Sequence, residues 1–91
     1  MKFPLCYDAT TSYADFVRLL PLATAETGFS IQDGVFHGQH WQIRLTPLPQ
    51  LAIGLFRLER HRVEIAFNGL TDAQQDQFMQ RFTNYYQRGG G

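Results

Sequence analysis

The 91-residue chain predicts an α+β fold: a five- to six-stranded, mostly antiparallel sheet with two helices packed on one face, in the order β-α-β-β-β-β-β-α. Two segments, one near each end, repeat apolar residues at helical spacing. Between them the period falls to two, and Asp33-Gly34 marks a tight hairpin. Hydrophobic residues make up 44% and charged residues 18% of the sequence, which is a globular composition. A chain this short holds one core, so residues 1–88 read as a single α+β domain and Gly89–Gly91 as a flexible tail. Stability on the order of 5–14 kcal/mol is expected.

Residues 2–7 suit a short edge strand, since Pro4 lacks an N–H. Ser12 is a good N-cap for a first helix, with Asp15 in its first turn. Tyr13, Phe16, Val17 and Leu20 follow i, i+3, i+4, i+7 spacing and predict its buried stripe. Pro21 is expected to end or kink that helix, and any continuation past Leu22 and Ala25 to stop at Gly28.

The Asp33-Gly34 turn pairs Ile31 with Phe36 and Ser30 with His37. A second turn at Gly38-Gln39 is predicted to pair His37 with His40 and Phe36 with Trp41. Ile31, Phe36, Trp41, Ile43 and Leu45 then share a face. Thr46 to Gln50, with Pro47 and Pro49, reads as a stiff connection. Strands at Leu51–Leu58 and Arg62–Phe67 are expected around a reversal at Arg60-His61. That register pairs Leu58 with Val63, Phe56 with Ile65, Gly54 with Phe67, Arg57 with Glu64, and Glu59 with Arg62. Thr71 and Gln74 form a capping-box pattern for the last helix, whose apolar stripe is Phe78, Phe82 and Tyr85. Asp72 and Asp76 lie near its positive end, and Arg81 and Arg88 near its negative end.

Eight basic and eight acidic residues cancel, which argues against a nucleic-acid or membrane-surface partner. Most aromatics fall on the predicted core face, leaving Tyr7, Tyr86 and Phe3 as the exposed ones. No apolar run approaches the ~20 residues of a membrane helix, so a cytoplasmic setting is expected. Cys6 is the only cysteine, which excludes an internal disulfide and a cysteine-based zinc site. No phosphate loop, dinucleotide fingerprint or nucleophile arrangement is present, so no cofactor and no catalytic residue are assigned.

The uncovered sheet face is where function is expected. It is predicted to carry His37, His40, Gln42, Arg44, Arg57, Arg62, Glu59 and Glu64, with Leu51, Ile53, Leu55 and Ala66. An apolar stripe of Leu51, Ile53 and Leu55 flanked by Arg44, Arg57 and Arg62 has the character of a protein-contact patch. The expected function is therefore a small protein-interaction module that self-associates through this face as a homodimer. A second expectation is a small-ligand or metal-binding protein, or an enzyme, using His37, His40, Arg44 and Glu64. His37 and His40 flank a tight turn, but no third metal ligand accompanies them, and no metal site is assigned.

The ending Arg88-Gly89-Gly90-Gly91 resembles the diglycine tail of ubiquitin-like carrier proteins. The resemblance covers four residues and implies a carrier role with Gly90-Gly91 as the conjugating terminus. In that family the tail leaves a strand of a β-grasp fold, whereas here it follows a helix.

Overall fold

The computed structural model describes residues 3–86. Its elements run β1 (Cys6–Ala9), α1 (Tyr13–Thr24), β2 (Ser30–Gln32), β3 (Val35–His37), β4 (Trp41–Ile53), β5 (Phe56–Phe67) and α2 (Asp72–Tyr86). The strands form one five-stranded antiparallel sheet in the order β1-β5-β4-β3-β2. This is the expected α+β class. Arg88 and the Gly89–Gly91 tail lie outside the described residues.

Side-chain alternation explains where the core sits. Trp41, Ile43 and Leu45 on β4, Val63 and Ile65 on β5, and Phe36 on β3 point to one face. Phe16, Leu20 and Ala23 of α1 and Met79 and Phe82 of α2 bury against them in a single cluster. Both helices therefore cover one side of the sheet, as the two apolar stripes predict, although Tyr13 of the first stripe lies at its margin and stays 48% exposed. Arg81 fastens them together, its Nε donating to the Leu22 carbonyl at 2.7 Å.

The helix starts follow the sequence and one helix end does not. Ser12 accepts the Asp15 N–H at 3.1 Å. Thr71 and Gln74 cap α2 reciprocally: the Gln74 N–H donates to Thr71 Oγ1 at 3.2 Å, and the Thr71 N–H to Gln74 Oε1 at 2.9 Å. In α1, however, Pro21 lies inside the helix, which ends at Thr24 with Ala25 as its C-cap at φ 59° rather than at Gly28. Near the C-terminus Pro21 forfeits a single backbone bond, and the buried Leu20 and Ala23 hold the last turn in place. Ala25 adopts the left-handed conformation that favours glycine. Ala25→Gly should therefore stabilise the protein by about 1 kcal/mol, read from the urea midpoint.

The first hairpin forms as predicted: Asp33 (φ 52°) and Gly34 (φ 76°) make the turn, pairing Ile31 with Phe36 and Ser30 with His37. Three other expectations change. The segment after His37 is a longer loop, closed by the Gly38 N–H on the Trp41 carbonyl at 2.9 Å, so His37 pairs with Gln42 and Phe36 with Ile43. The edge strand begins at Cys6 and pairs with β5, with Cys6 opposite Glu64 and Ala9 opposite His61. The proline segment is not a connection. Pro47 and Pro49 lie within β4, and the predicted strands 51–58 and 62–67 belong to one hairpin turning at Gly54-Leu55. The pairings centred on Arg60-His61 are thus replaced: Glu64 faces Arg44, Arg62 faces Thr46, Val63 faces Leu45, and Ile65 faces Ile43. Strand β3 accompanies β4 only from Gln42 to Arg44. Beyond it β4 is an edge, where a residue without an N–H is tolerated.

Phe3, Tyr7 and Tyr86 are also not surface residues, since all three pack partly buried against the core. The Tyr86 hydroxyl donates to the Phe16 carbonyl at 2.7 Å. Burial pushes the Tyr7 phenol from 10.0 up to about 12, and raises Tyr86 as well. An acid with a raised native pKa keeps its proton in the fold and loses it when the chain unfolds. The stability it contributes is full below pH 10.0 and is lost as pH rises towards about 12. Equilibrium unfolding should show a falling midpoint across that window, and Tyr7→Phe should flatten the fall.

Candidate functional site

The open face of the sheet is polar and orderly. One cross-strand row reads Gln32, Val35, Arg44, Glu64, Cys6, and the next reads Ser30, His37, Gln42, Ala66. Thr46, Arg62 and Asp8 form the row on the other side. Arg62 Nε donates to Asp8 Oδ1 at 2.9 Å, and Arg60 lies 3.8 Å from the same carboxylate. These guanidiniums hold the Asp8 carboxyl below its usual range, with the Arg62 hydrogen bond as the main cause. Arg62 is thus engaged within the chain, by Asp8 and not by the expected Glu59.

Beyond these rows β4 and β5 run on alone. Strand β1 stops beside His61 and β3 beside Arg44, so residues 46–60 project as a two-stranded arm. The molecule measures 45 × 28 × 19 Å, the elongation such an arm produces. The arm carries a bulge: Leu48 faces Arg60 and Leu51 faces Leu58, so Pro49 and Gln50 together oppose Glu59. The extra residue reverses the alternation on β4. Without it Leu51 and Ile53 would follow Ile43 and Leu45 towards the helices; with it they join Leu58 and Phe56 on the open-face side. The result is an uncovered apolar surface of Leu51, Ile53, Phe56 and Leu58, with Leu55 fully exposed at the tip.

The expected contact residues are therefore only partly brought together. Leu51 and Ile53 share a face with Arg44 and Arg62 by alternation, though along the arm and not across the sheet. Leu55 is a turn residue. Arg57 and Glu59 lie on the opposite side of the arm from Leu58, because they alternate with it on β5. The predicted pairing of Phe56 with Ile65 sets Phe56 on the core face, but it is 72% exposed and joins Leu58 on the contact surface. The available signal was Gly54-Leu55, a two-residue Gly-X turn between Ile53 and Phe56.

The expected ligand residues separate. Arg44 and Glu64 face one another and line an open-face cleft of about 280 Å³ with Val35 and Ala66. His37 lies one row away and borders a different cleft, with Glu26 and Gln39. His40 is not on the open face: its Nδ1 sits 3.0 Å from the Asn68 carbonyl oxygen beyond the end of β5. His61 is buried, with Nδ1 2.8 Å from the Thr11 carbonyl oxygen, and secures the start of α1 to the sheet. Among the described residues no three His, Cys, Asp or Glu side chains converge as a metal site. No helix among them is long and apolar enough to cross a membrane.

Fold and surface together define a small α+β protein whose half-covered antiparallel sheet extends into an apolar β-ribbon arm. No family model matches the sequence, and no curated protein or solved structure matches it significantly.

Proposed function

We propose that the chain is a protein-interaction module that self-associates through the β4–β5 arm and the open face continuous with it. One observation carries this reading. Five large apolar side chains, Leu51, Ile53, Leu55, Phe56 and Leu58, are exposed together on an element that runs beyond the strands flanking it among the described residues. Two-stranded ribbons are marginal in water unless a face is covered, so the arm gains most from a contact outside its own chain. A second copy offers the same surface, and a two-fold axis lets one patch satisfy both. A cytoplasmic setting belongs to the same proposal and agrees with an exposed, unpaired Cys6.

Light scattering on a size-exclusion column, at two concentrations and two salt levels, tests it. The expected mass is that of a dimer. Leu58→Asp should give a folded monomer, because it sets a carboxylate in the apolar surface and leaves the helix-covered core untouched. A wild-type monomer at high concentration, or a Leu58→Asp dimer, would overturn the reading.

A further inference from the structure

Resting on the arm as the self-association element, we infer that two copies join edge to edge, strand β5 pairing antiparallel with β5 of a second copy about a two-fold axis at Leu58. The arm has two edges, and they are not equivalent. On the β4 edge, alternate residues turn their backbone groups outward: the Leu45 N–H donates to Gly34 of the β2–β3 turn at 3.3 Å. Two residues on, the next outward position is Pro47, which has no N–H, and the bulge at Pro49 and Gln50 then disrupts the edge. Proline and bulges are the features that keep a free edge from recruiting another strand.

The β5 edge carries neither. The Ile65 N–H turns outward, donating to the Leu5 carbonyl at 2.7 Å. Alternation then turns the backbone groups of Val63, His61, Glu59 and Arg57 the same way. Strand β1 uses this edge as far as His61 and stops at Ala9. Among the described residues no strand lies beside the N–H and C=O groups of Arg57 and Glu59, and Thr10–Ser12 and Asp15 border an open cleft with these two residues.

The segment Phe56-Arg57-Leu58-Glu59-Arg60 is complementary to itself in this arrangement. With Leu58 opposite Leu58 of the second copy, Arg57 falls opposite Glu59 of that copy, and Glu59 opposite its Arg57. These two pairs are the hydrogen-bonded ones, and each brings opposite charges into register. The leucines form the closer, non-hydrogen-bonded pair, and Phe56 lies opposite Arg60 of the second copy, where a guanidinium packs on an aromatic ring. One position further, Leu55 meets His61 of the second copy, where β1 already occupies the edge. The overlap therefore ends at five residues per copy. Inside its own chain Arg57 faces Ala52, so neither β4 nor β1 supplies it with a charged partner in register.

Charge reversal tests the register. Arg57→Glu alone, or Glu59→Arg alone, sets like charges opposite each other twice per dimer and should raise the dissociation constant roughly tenfold or more. The double variant R57E/E59R restores both pairs and should restore the wild-type constant in sedimentation equilibrium. In a Cys6→Ser background, Leu58→Cys should oxidise to a disulfide-linked dimer, since the axis brings the two side chains together. A dimer indifferent to both reversals but dispersed by Ile53→Asp would be packed face to face. That outcome overturns edge pairing and leaves the arm's contact role standing. A monomeric wild type overturns both.

Discussion

Gly38→Ala is expected to cost about 3 kcal/mol, the upper end for overpacking a core, and to lower the melting temperature by roughly 12–24 °C. A Cβ at this position would overlap Cε2, Nε1 and Cζ2 of the Trp41 indole. The ring has nowhere to go. It is only 2% exposed, and its Nε1–H donates to Glu26 Oε2 at 2.6 Å. Phe29 and Phe78 hold it from other sides, with ring centroids 6.0 and 6.1 Å away. Glu26 also accepts the Gln39 N–H at 3.0 Å, so the same carboxylate holds both the loop and the ring. Relieving the clash means moving the loop, the indole or the segment after α1. A Gly38→Ala protein melting within a few degrees of wild type would refute this packing.

Phe16→Ala is expected to remove about 3–5 kcal/mol, a large part of the stability of a domain this size. Phe16 is 1% exposed, and its ring meets Phe36, Phe82 and Tyr86 at centroid distances of 5.9, 6.4 and 4.7 Å. It thereby joins α1, α2 and the sheet at one point. Truncation opens a cavity among aromatic rings, which cannot collapse into it without leaving their own contacts. The informative control is Phe56→Ala on the arm. Phe56 is 72% exposed, so truncation should alter folding stability by no more than about 0.5 kcal/mol in the dilute, dissociated protein. Urea titrations of the two variants therefore separate core phenylalanines from contact phenylalanines. Equal losses would mean that the arm is part of the folding core.

The core was legible in the sequence wherever a periodic pattern met a capping or turn residue. Ser12 with the Phe16 and Leu20 stripe, Asp33-Gly34 with Ile31 and Phe36, and Thr71-Gln74 with Phe82 each combine a local signal with burial. Each describes interactions made within a few residues of chain. The candidate contact surface was legible only in composition. Leu51, Ile53 and Leu55 stood out as apolar residues in excess of what one face needs, but their partners were misassigned. The cause was a competition between two turn signals. Two prolines outweighed a single Gly54-Leu55 pair, and opposite charges at Arg57/Glu64 and Glu59/Arg62 made a false register attractive.

By itself the sequence determined the α+β class, the two helices, their shared face of the sheet and the first hairpin, because short-range geometry decides those. Tertiary structure alone decided the strand order, the passage of β4 through Pro47 and Pro49, and the bulge that turns Leu51 and Ile53 away from the helices. A proline's missing N–H matters only where a neighbouring strand needs it, and whether β3 reaches that far is a property of the assembled sheet.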